Sequence, residues 1–232
     1  MENLKNAFLR FTVSKTSREV KKRGLSYLSW KKLKNIENCI RNLEKAHVPG
    51  LFLEAGVAQG GSSVVIAKLM GETRIFRGYD VFEMIPPPSH RDDSESAARY
   101  QTIKSGQAKG IKGKPYYGYI ENLYDQVAKT FCSFGLEMDG SRICLLKGLF
   151  EKTLFFGKNE MAAFAHLDCD WYDPVKLCLE RIYPVLSPGG IIVIDDYFRY
   201  GGCKKATDEF LSSHRDLKTV VASEHLILQL QK

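Results

Sequence analysis

The chain has 232 residues, 44% hydrophobic and 26% charged, the make-up of one globular domain long enough to bury a substantial core. Its formal net charge of +7 comes with no DNA- or RNA-binding motif and no aromatic-interleaved basic repeat, which argues against a nucleic-acid partner. There is no apolar run of membrane-spanning length, no signal-like start in Met1-Glu2-Asn3-Leu4-Lys5, and no C-x-x-C pair among six cysteines. These features predict a cytoplasmic protein without membrane partner, disulfide framework or thiolate zinc site.

In chain order, residues 1–48 read as a helical extension or lid, with Trp30, Leu33, Ile36, Ile40 and Leu43 at helical spacing and Ser29 placed to cap the start. Lys15, Arg18, Lys21, Lys22, Arg23, Lys31, Lys32 and Lys34 cluster there, as a solvated face or as an attractor of an anionic substrate. Pro49-Gly50 ends the segment, and residues 49–232 form the main domain. Strand-like runs at Leu51–Ala55, Ile75–Tyr79, Ile143–Leu146, Ala163–Leu167 and Ile191–Ile194 alternate with helical stretches at Ser62–Leu69, Ile120–Phe134, Pro174–Leu186 and Lys204–His214. This alternation predicts an α/β fold with a mostly parallel sheet covered on both faces. Lys218–Val221 and His225–Leu230 read as a closing antiparallel hairpin. Cys144, inside an apolar run, is expected in the core. Pro86-Pro87-Pro88 opens a polar insert through about residue 118, read as a loop that caps the active site and touches the substrate.

The first strand runs into Glu54-Ala55-Gly56-Val57-Ala58-Gln59-Gly60-Gly61-Ser62-Ser63. Glycines there allow a sharp turn and close approach to a ligand at the N-terminus of the next helix. The spacing is E-x-G-x-x-x-G, not G-x-G-x-x-G, and Glu54 suits the ammonium of a bound amino-acid moiety where it would repel a pyrophosphate. Asp80, at the end of the second strand, stands where such folds place the carboxylate that grips ribose hydroxyls. Phe150, after the third strand, is read either as a surface for an adenine ring or as a core residue.

The fourth strand ends in Leu167-Asp168-Cys169-Asp170-Trp171-Tyr172, and in extended chain Asp168 and Asp170 share a face. Ser187-Pro188-Gly189-Gly190 reads as a turn into Ile191-Ile192-Val193-Ile194-Asp195-Asp196, a buried strand delivering two acids at its carboxyl end. Four carboxylates brought together repel one another and take up protons unless a cation neutralises them. Oxygen ligands of this kind suit Mg²⁺ or Mn²⁺. Asp195 and Asp196 can share one ion only if the chain leaves the strand there, and Gly201-Gly202 is expected to relieve the geometry of that exit.

The sequence resembles the macrocin O-methyltransferases, the TylF/MycF/NovP type of sugar O-methyltransferase. The resemblance lies in residues 54–63, in Gly148-Leu149-Phe150-Glu151-Lys152-Thr153-Leu154, in residues 167–172, and in Tyr183-Pro184-Val185-Leu186-Ser187-Pro188-Gly189-Gly190 running to Ile194-Asp195-Asp196-Tyr197. It extends more faintly through residues 203–210 and 30–50. It implies a Rossmann-like class I methyltransferase fold with seven strands, S-adenosylmethionine as methyl donor, and a sugar or other glycan hydroxyl as acceptor. The implied cofactor contacts are Glu54, Gly56, Gly60, Ser62, Ser63, Asp80, Phe150 and Asp168. One Mg²⁺ (or Mn²⁺) would be held by Asp168, Asp195 and Asp196, with Asp170 as general base. The sequence departs from the pattern at Ala58-Gln59, at Cys169 and throughout the insert, so natural-product glycoside, nucleotide sugar and polysaccharide all stay open as acceptors, as does homo-oligomerisation. An NAD(P)-dependent reductase would share the sheet and the glycine-rich turn, but no Tyr-x-x-x-Lys signature accompanies them. A non-catalytic binding protein would have no need of the acid cluster.

Overall fold

The computed structural model describes residues 9–231, so the part of the helical reading that falls on residues 1–8 lies outside the described residues. After helical residues 9–12, the described part of the extension holds α1 (Lys15–Arg23) and α2 (Trp30–Lys45), not one continuous stretch. Gly24 closes α1 in the left-handed region (φ 63°), and residues 25–29 run without helix to Ser29. The Ser29 hydroxyl accepts from Lys32 N–H at 3.1 Å and starts α2, as its position before the apolar stripe predicted. Of that stripe, Leu33, Ile36, Ile40 and Leu43 are fully buried and Trp30 is half-buried.

A seven-stranded sheet follows, in the order β3-β2-β1-β4-β5-β7-β6. Its strands are β1 (Leu51–Ala55), β2 (Phe76–Asp80), β3 (Ile143–Lys147), β4 (Ala162–Leu167), β5 (Leu186–Ile194), β6 (Leu217–Ala222) and β7 (Leu226–Leu230). The first five are parallel, and β7 runs antiparallel to both β5 and β6. The intervening helices are α3 (Gly61–Leu69), α4 (Ser94–Lys104), α5 (Leu123–Ser133), α6 (Phe150–Thr153), α7 (Tyr172–Ile182) and α8 (Gly201–Ser213). Strand side chains alternate between two cores. Phe52, Phe76, Phe164 and Val193 pack with α2, α3 and α5, while Leu53, Tyr79, Ala165 and Ile192 pack with α7 and α8.

Three local readings change. Residues 187–190, read as a turn, lie within β5, where the register with β4 jumps from Ala162↔Leu186 to Phe164↔Ile191. Strand pairing absorbs the Pro-Gly-Gly run as a bulge, which the local turn signal could not foresee. Cys144 is only half-buried, because β3 is the sheet edge and alternates buried and half-exposed positions. The insert is not a bare loop: it contains α4, capped by the Asp93 carboxylate accepting from Ser96 N–H at 2.7 Å, and a small core of Ile103, Ala108 and Tyr116. No described helix is long and apolar enough to cross a membrane.

Candidate active site

The strand order reverses between β1 and β4, and α/β sheets bind ligands at the carboxyl ends of strands flanking such a point. Gly56 follows β1 and Asp168 follows β4. Gly56 has φ 94°, and a Cβ there would lie 1.8 Å from the Asp168 carbonyl oxygen, so only glycine lets the two loops pass.

Asp168, Asp195 and Asp196 each offer an oxygen within 4.8 Å of the others. Asp195 and Asp196 lie just past the last residue of β5, and Asp196 C=O accepts from Arg199 N–H at 2.9 Å and Tyr200 N–H at 3.1 Å. The chain thus leaves the strand by an immediate turn, which brings consecutive acids to one place. Gly201 and Gly202 have a different task from the one expected of them. Neither has positive φ, and a Cβ at Gly202 would sit 1.8 Å from Asp92 Oδ1. They make room for two insert carboxylates that cap helix starts: Asp92 accepts from Tyr172 N–H at 2.8 Å and Asp93 from Gly201 N–H at 2.6 Å. Asp170 joins Asp168 at the cavity by a turn, with φ 58°, and not by the strand pleat.

Electrostatics divide the four acids. Lys32 reaches from α2 to donate to Asp195 Oδ2 at 2.7 Å, and His166 Nε2 and His225 Nδ1 stand 3.6 and 3.8 Å from Asp195 Oδ1. Burial favours the neutral acid, but these groups outweigh it and hold Asp195 far below the usual carboxylate range. Burial and neighbouring carboxylates push Asp168 and Asp196 well up. Asp170 is pushed up to about 6, chiefly by burial. His166 would lose its proton through burial alone, yet Asp195 on one side and Glu54 on the other hold it at about 10, an imidazolium at neutral pH. Asp195 Oδ1 and Asp196 Oδ2 are buried without a hydrogen-bond partner.

Glu54 is turned inward. It is fully buried, lies 2.7 Å from His166 Nδ1, accepts from the Ser63 hydroxyl, and does not line the cavity. Ser63 is likewise buried and absent from the cavity lining. A side chain inside β1 points into the layer of the sheet, where His166 on β4 meets it. Ser62 and Gly60 also stand back from the cavity lining. Asp80 reaches the cavity but accepts from Val57, Ala58 and Phe82 N–H at 2.7, 2.8 and 2.6 Å, so it braces the glycine-rich loop from below. Phe150 lines a cavity of about 240 Å³ with Gly148, Leu149 and Ile85.

This smaller cavity meets one of about 680 Å³, and Gly56, Asp80, Tyr117, Asp168, Asp170 and Trp171 line both. The larger lobe holds all four acids. Sequence reasoning missed Tyr27 and Lys32 from the N-terminal extension, Arg99, Tyr116 and Tyr117 from the insert, and Tyr200 from the turn after β5. Lys32 was hidden in a basic run whose other members gave no reason to single it out. His166 was hidden in an apolar strand pattern.

The family model for macrocin O-methyltransferase (TylF) matches residues 7–223. The chain is 30% identical over 185 residues to the 8-demethyl-8-(2,3-dimethoxy-alpha-L-rhamnosyl)-tetracenomycin-C 4'-O-methyltransferase of Streptomyces olivaceus, covering 78% of this chain and 65% of that enzyme's length. The structure is similar to that of the O-methyltransferase NovP, with a TM-score of 0.73, 22% identity, and coverage of 90% of this chain and 83% of the other. It also shares its fold with the SAH-bound Podospora anserina methyltransferase PaMTH1, with a TM-score of 0.57, 15% identity, and coverage of 100% and 95%. The seven-stranded fold with its antiparallel end is that of the class I Rossmann-like O-methyltransferases, and the chain belongs to the macrocin O-methyltransferase (TylF) family.

Proposed function

We propose that the protein transfers a methyl group from S-adenosylmethionine to a hydroxyl of a sugar, with a divalent cation held by Asp168, Asp195 and Asp196 and with Asp170 as general base. One observation carries this reading. Three carboxylates converge within 4.8 Å, and two of their oxygens are buried with no hydrogen-bond partner. Of the three, only Asp195 pairs directly with Lys32 and His166. The two orphaned oxygens and the raised Asp168 and Asp196 are what a hard, oxygen-seeking cation such as Mg²⁺ or Mn²⁺ would satisfy. Family membership supports the reaction class, and the Streptomyces olivaceus relative is named for a rhamnosyl acceptor. The fold shared with SAH-bound PaMTH1 supports the methyl donor.

When bound, the cation would supply positive charge against the alkoxide that develops on the acceptor. The chain's own residues perform the rest. The smaller lobe holds the adenosine, with Phe150 beside the adenine and Asp80 keeping the loop of Gly56 and Ala58 in place beneath the methionine moiety. Asp170 lies where the two lobes meet, so its carboxylate takes the hydroxyl proton as the methyl arrives from the cofactor side. Tyr117 and Trp171, also at this junction, limit water and fix the approach. A sugar hydroxyl titrates far above an ordinary carboxylate, so Asp170 acts only on an acceptor oxygen whose anion is stabilised.

The test is methyl uptake from labelled S-adenosylmethionine into a panel of free, glycosidic and nucleotide-linked sugars, with Mg²⁺ and with a chelator. We expect transfer to at least one sugar hydroxyl, abolished by the chelator and restored by added metal. Transfer that is indifferent to chelation would remove the cation from the scheme. Uptake confined to non-sugar hydroxyls would remove the acceptor class.

A further inference from the structure

The insert brings one strongly basic group into the acceptor lobe. Arg99 lies on α4, is half-buried, and lines the larger cavity but not the smaller one. Its guanidinium stands 5.5 Å from the centre of the Tyr116 ring, within electrostatic reach of Asp170, Tyr27 and Tyr200. Neighbouring arginines are paired. Arg199 meets Glu95 at 2.5 Å and Arg91 meets Asp173 at 3.7 Å. Among the described residues, Arg99 makes neither a salt bridge nor a hydrogen bond. A guanidinium presents five N–H donors in a planar fork suited to phosphate or carboxylate, and here none of them is spent on a protein acceptor.

Its placement is not loose. Asp93 caps α4 and also accepts from Gly201 N–H, while Asp92 accepts from Tyr172 N–H, so the first turn of α4 is tied to the starts of α7 and α8. The Tyr116 ring supports the guanidinium from one side, at cation–π distance. Arg99 is therefore held over the lobe, across from the carboxylates that would take the acceptor hydroxyl.

We infer that the acceptor is an anionic sugar derivative, and that Arg99 binds its phosphate or carboxylate group while the reacting hydroxyl faces Asp170. This inference rests on the proposed methyl transfer, since it assigns the contents of the same lobe. Arg99 acts as a specificity determinant, selecting acceptors by charge. The cofactor's own carboxylate is the other anion in reach of the cleft. Arg99 is assigned to the acceptor because it lines the larger lobe, together with all four acids, and not the smaller lobe assigned to the adenosine.

The experiment is calorimetric titration of the protein loaded with S-adenosylhomocysteine and Mg²⁺. The probes are uridine diphosphate glucose, glucose 1-phosphate, glucuronate and methyl glucoside, each at low and high salt. Wild type should bind at least one anionic probe about ten- to hundred-fold more tightly than methyl glucoside, the span of one charged hydrogen-bonding contact. The Arg99→Ala variant should lose that preference, Arg99→Lys should keep part of it, and S-adenosylhomocysteine affinity should stay unchanged in both. Equal binding of methyl glucoside, no measurable binding of any anionic probe, or a preference that survives Arg99→Ala overturns the inference. A fall in S-adenosylhomocysteine affinity in Arg99→Ala reassigns the residue to the cofactor's carboxylate and overturns it as well. Failure of wild type to bind S-adenosylhomocysteine at all is a different result, one that strikes the methyltransferase reading itself.

Discussion

Asp195 is gripped from several sides, by Lys32 at 2.7 Å and by His166 and His225 at longer range, whereas Asp170 is not tied to a cationic partner. The two acids therefore answer differently to loss of charge. Asp195→Asn removes a negative charge from the proposed cation site and leaves Lys32 and His166 without their shared anion. Divalent-ion affinity should fall, and turnover should partly return at high Mg²⁺. Asp170→Asn should leave ion affinity unchanged while turnover drops roughly 10²–10⁴-fold, the usual loss on removing a general base. Manganese binding followed by electron paramagnetic resonance, together with turnover against Mg²⁺, measures both. Recovery of Asp170→Asn at high metal would mean that the roles are wrongly divided. The acids themselves were legible in the sequence, because two apolar strand-like runs each end in two of them. Their counter-charges were not. Lys32 lies 163 residues before Asp195 and His225 lies 30 residues after it, and no local pattern joins them.

Glu37 shows how an element is fixed to the body of the fold. Its buried carboxylate accepts from Ser17 Oγ at 2.6 Å, Ser14 N–H at 2.8 Å and Arg41 at 2.9 Å, fastening α1 to α2 and so placing the segment that carries Tyr27 and Lys32. Burial would raise its titration point, but these donors outweigh burial and lower it below the ordinary value. The folded value lies below the unfolded one, so the contribution to stability is fully present above about pH 4.3 and is lost as pH falls through the folded value. Glu37→Gln should loosen α1 by about 1.5–3 kcal/mol, the range for a hydrogen bond to a charged group. Hydrogen exchange should show faster exchange in α1 for this variant at neutral pH, and a much smaller difference from wild type in strong acid. The insert is fastened by the same kind of device. Gly202→Ala would place a methyl where Asp92 Oδ1 now lies, so the insert should undock. Acceptor turnover should be lost while S-adenosylhomocysteine affinity persists; a variant with wild-type turnover would show that docking of the insert is dispensable. Helical periodicity announced α2 and alternating strands announced the sheet. The insert helix was missed because α4 is short, polar and only weakly amphipathic, and is held by caps and contacts that lie far away in sequence.

At the scale of the whole molecule, a ligand that binds only the folded state raises stability by an amount set by its concentration over Kd, about 2.7 kcal/mol at a hundredfold excess. S-adenosylmethionine should therefore raise the melting temperature, Mg²⁺ should add to the rise, and NADPH should leave it unchanged. A rise with NADPH alone would revive the reductase alternative. What the sequence determined by itself was periodic or local. Strand and helix alternation defined the sheet and its layers, the E-x-G-x-x-x-G run located the glycine-rich turn between β1 and α3, and two strand ends supplied the four acids. What only the tertiary structure decided was which groups meet. It turned Glu54 inward to His166, spent Asp80 on three backbone N–H groups, folded a proline-glycine turn signal into β5, and set Lys32 and Arg99 at the cavity. The physical reason is that strand and helix propensities act over a few residues. The cost of burying a charge, by contrast, is settled only by whatever opposite charge or N–H group the completed fold brings within about 3 Å.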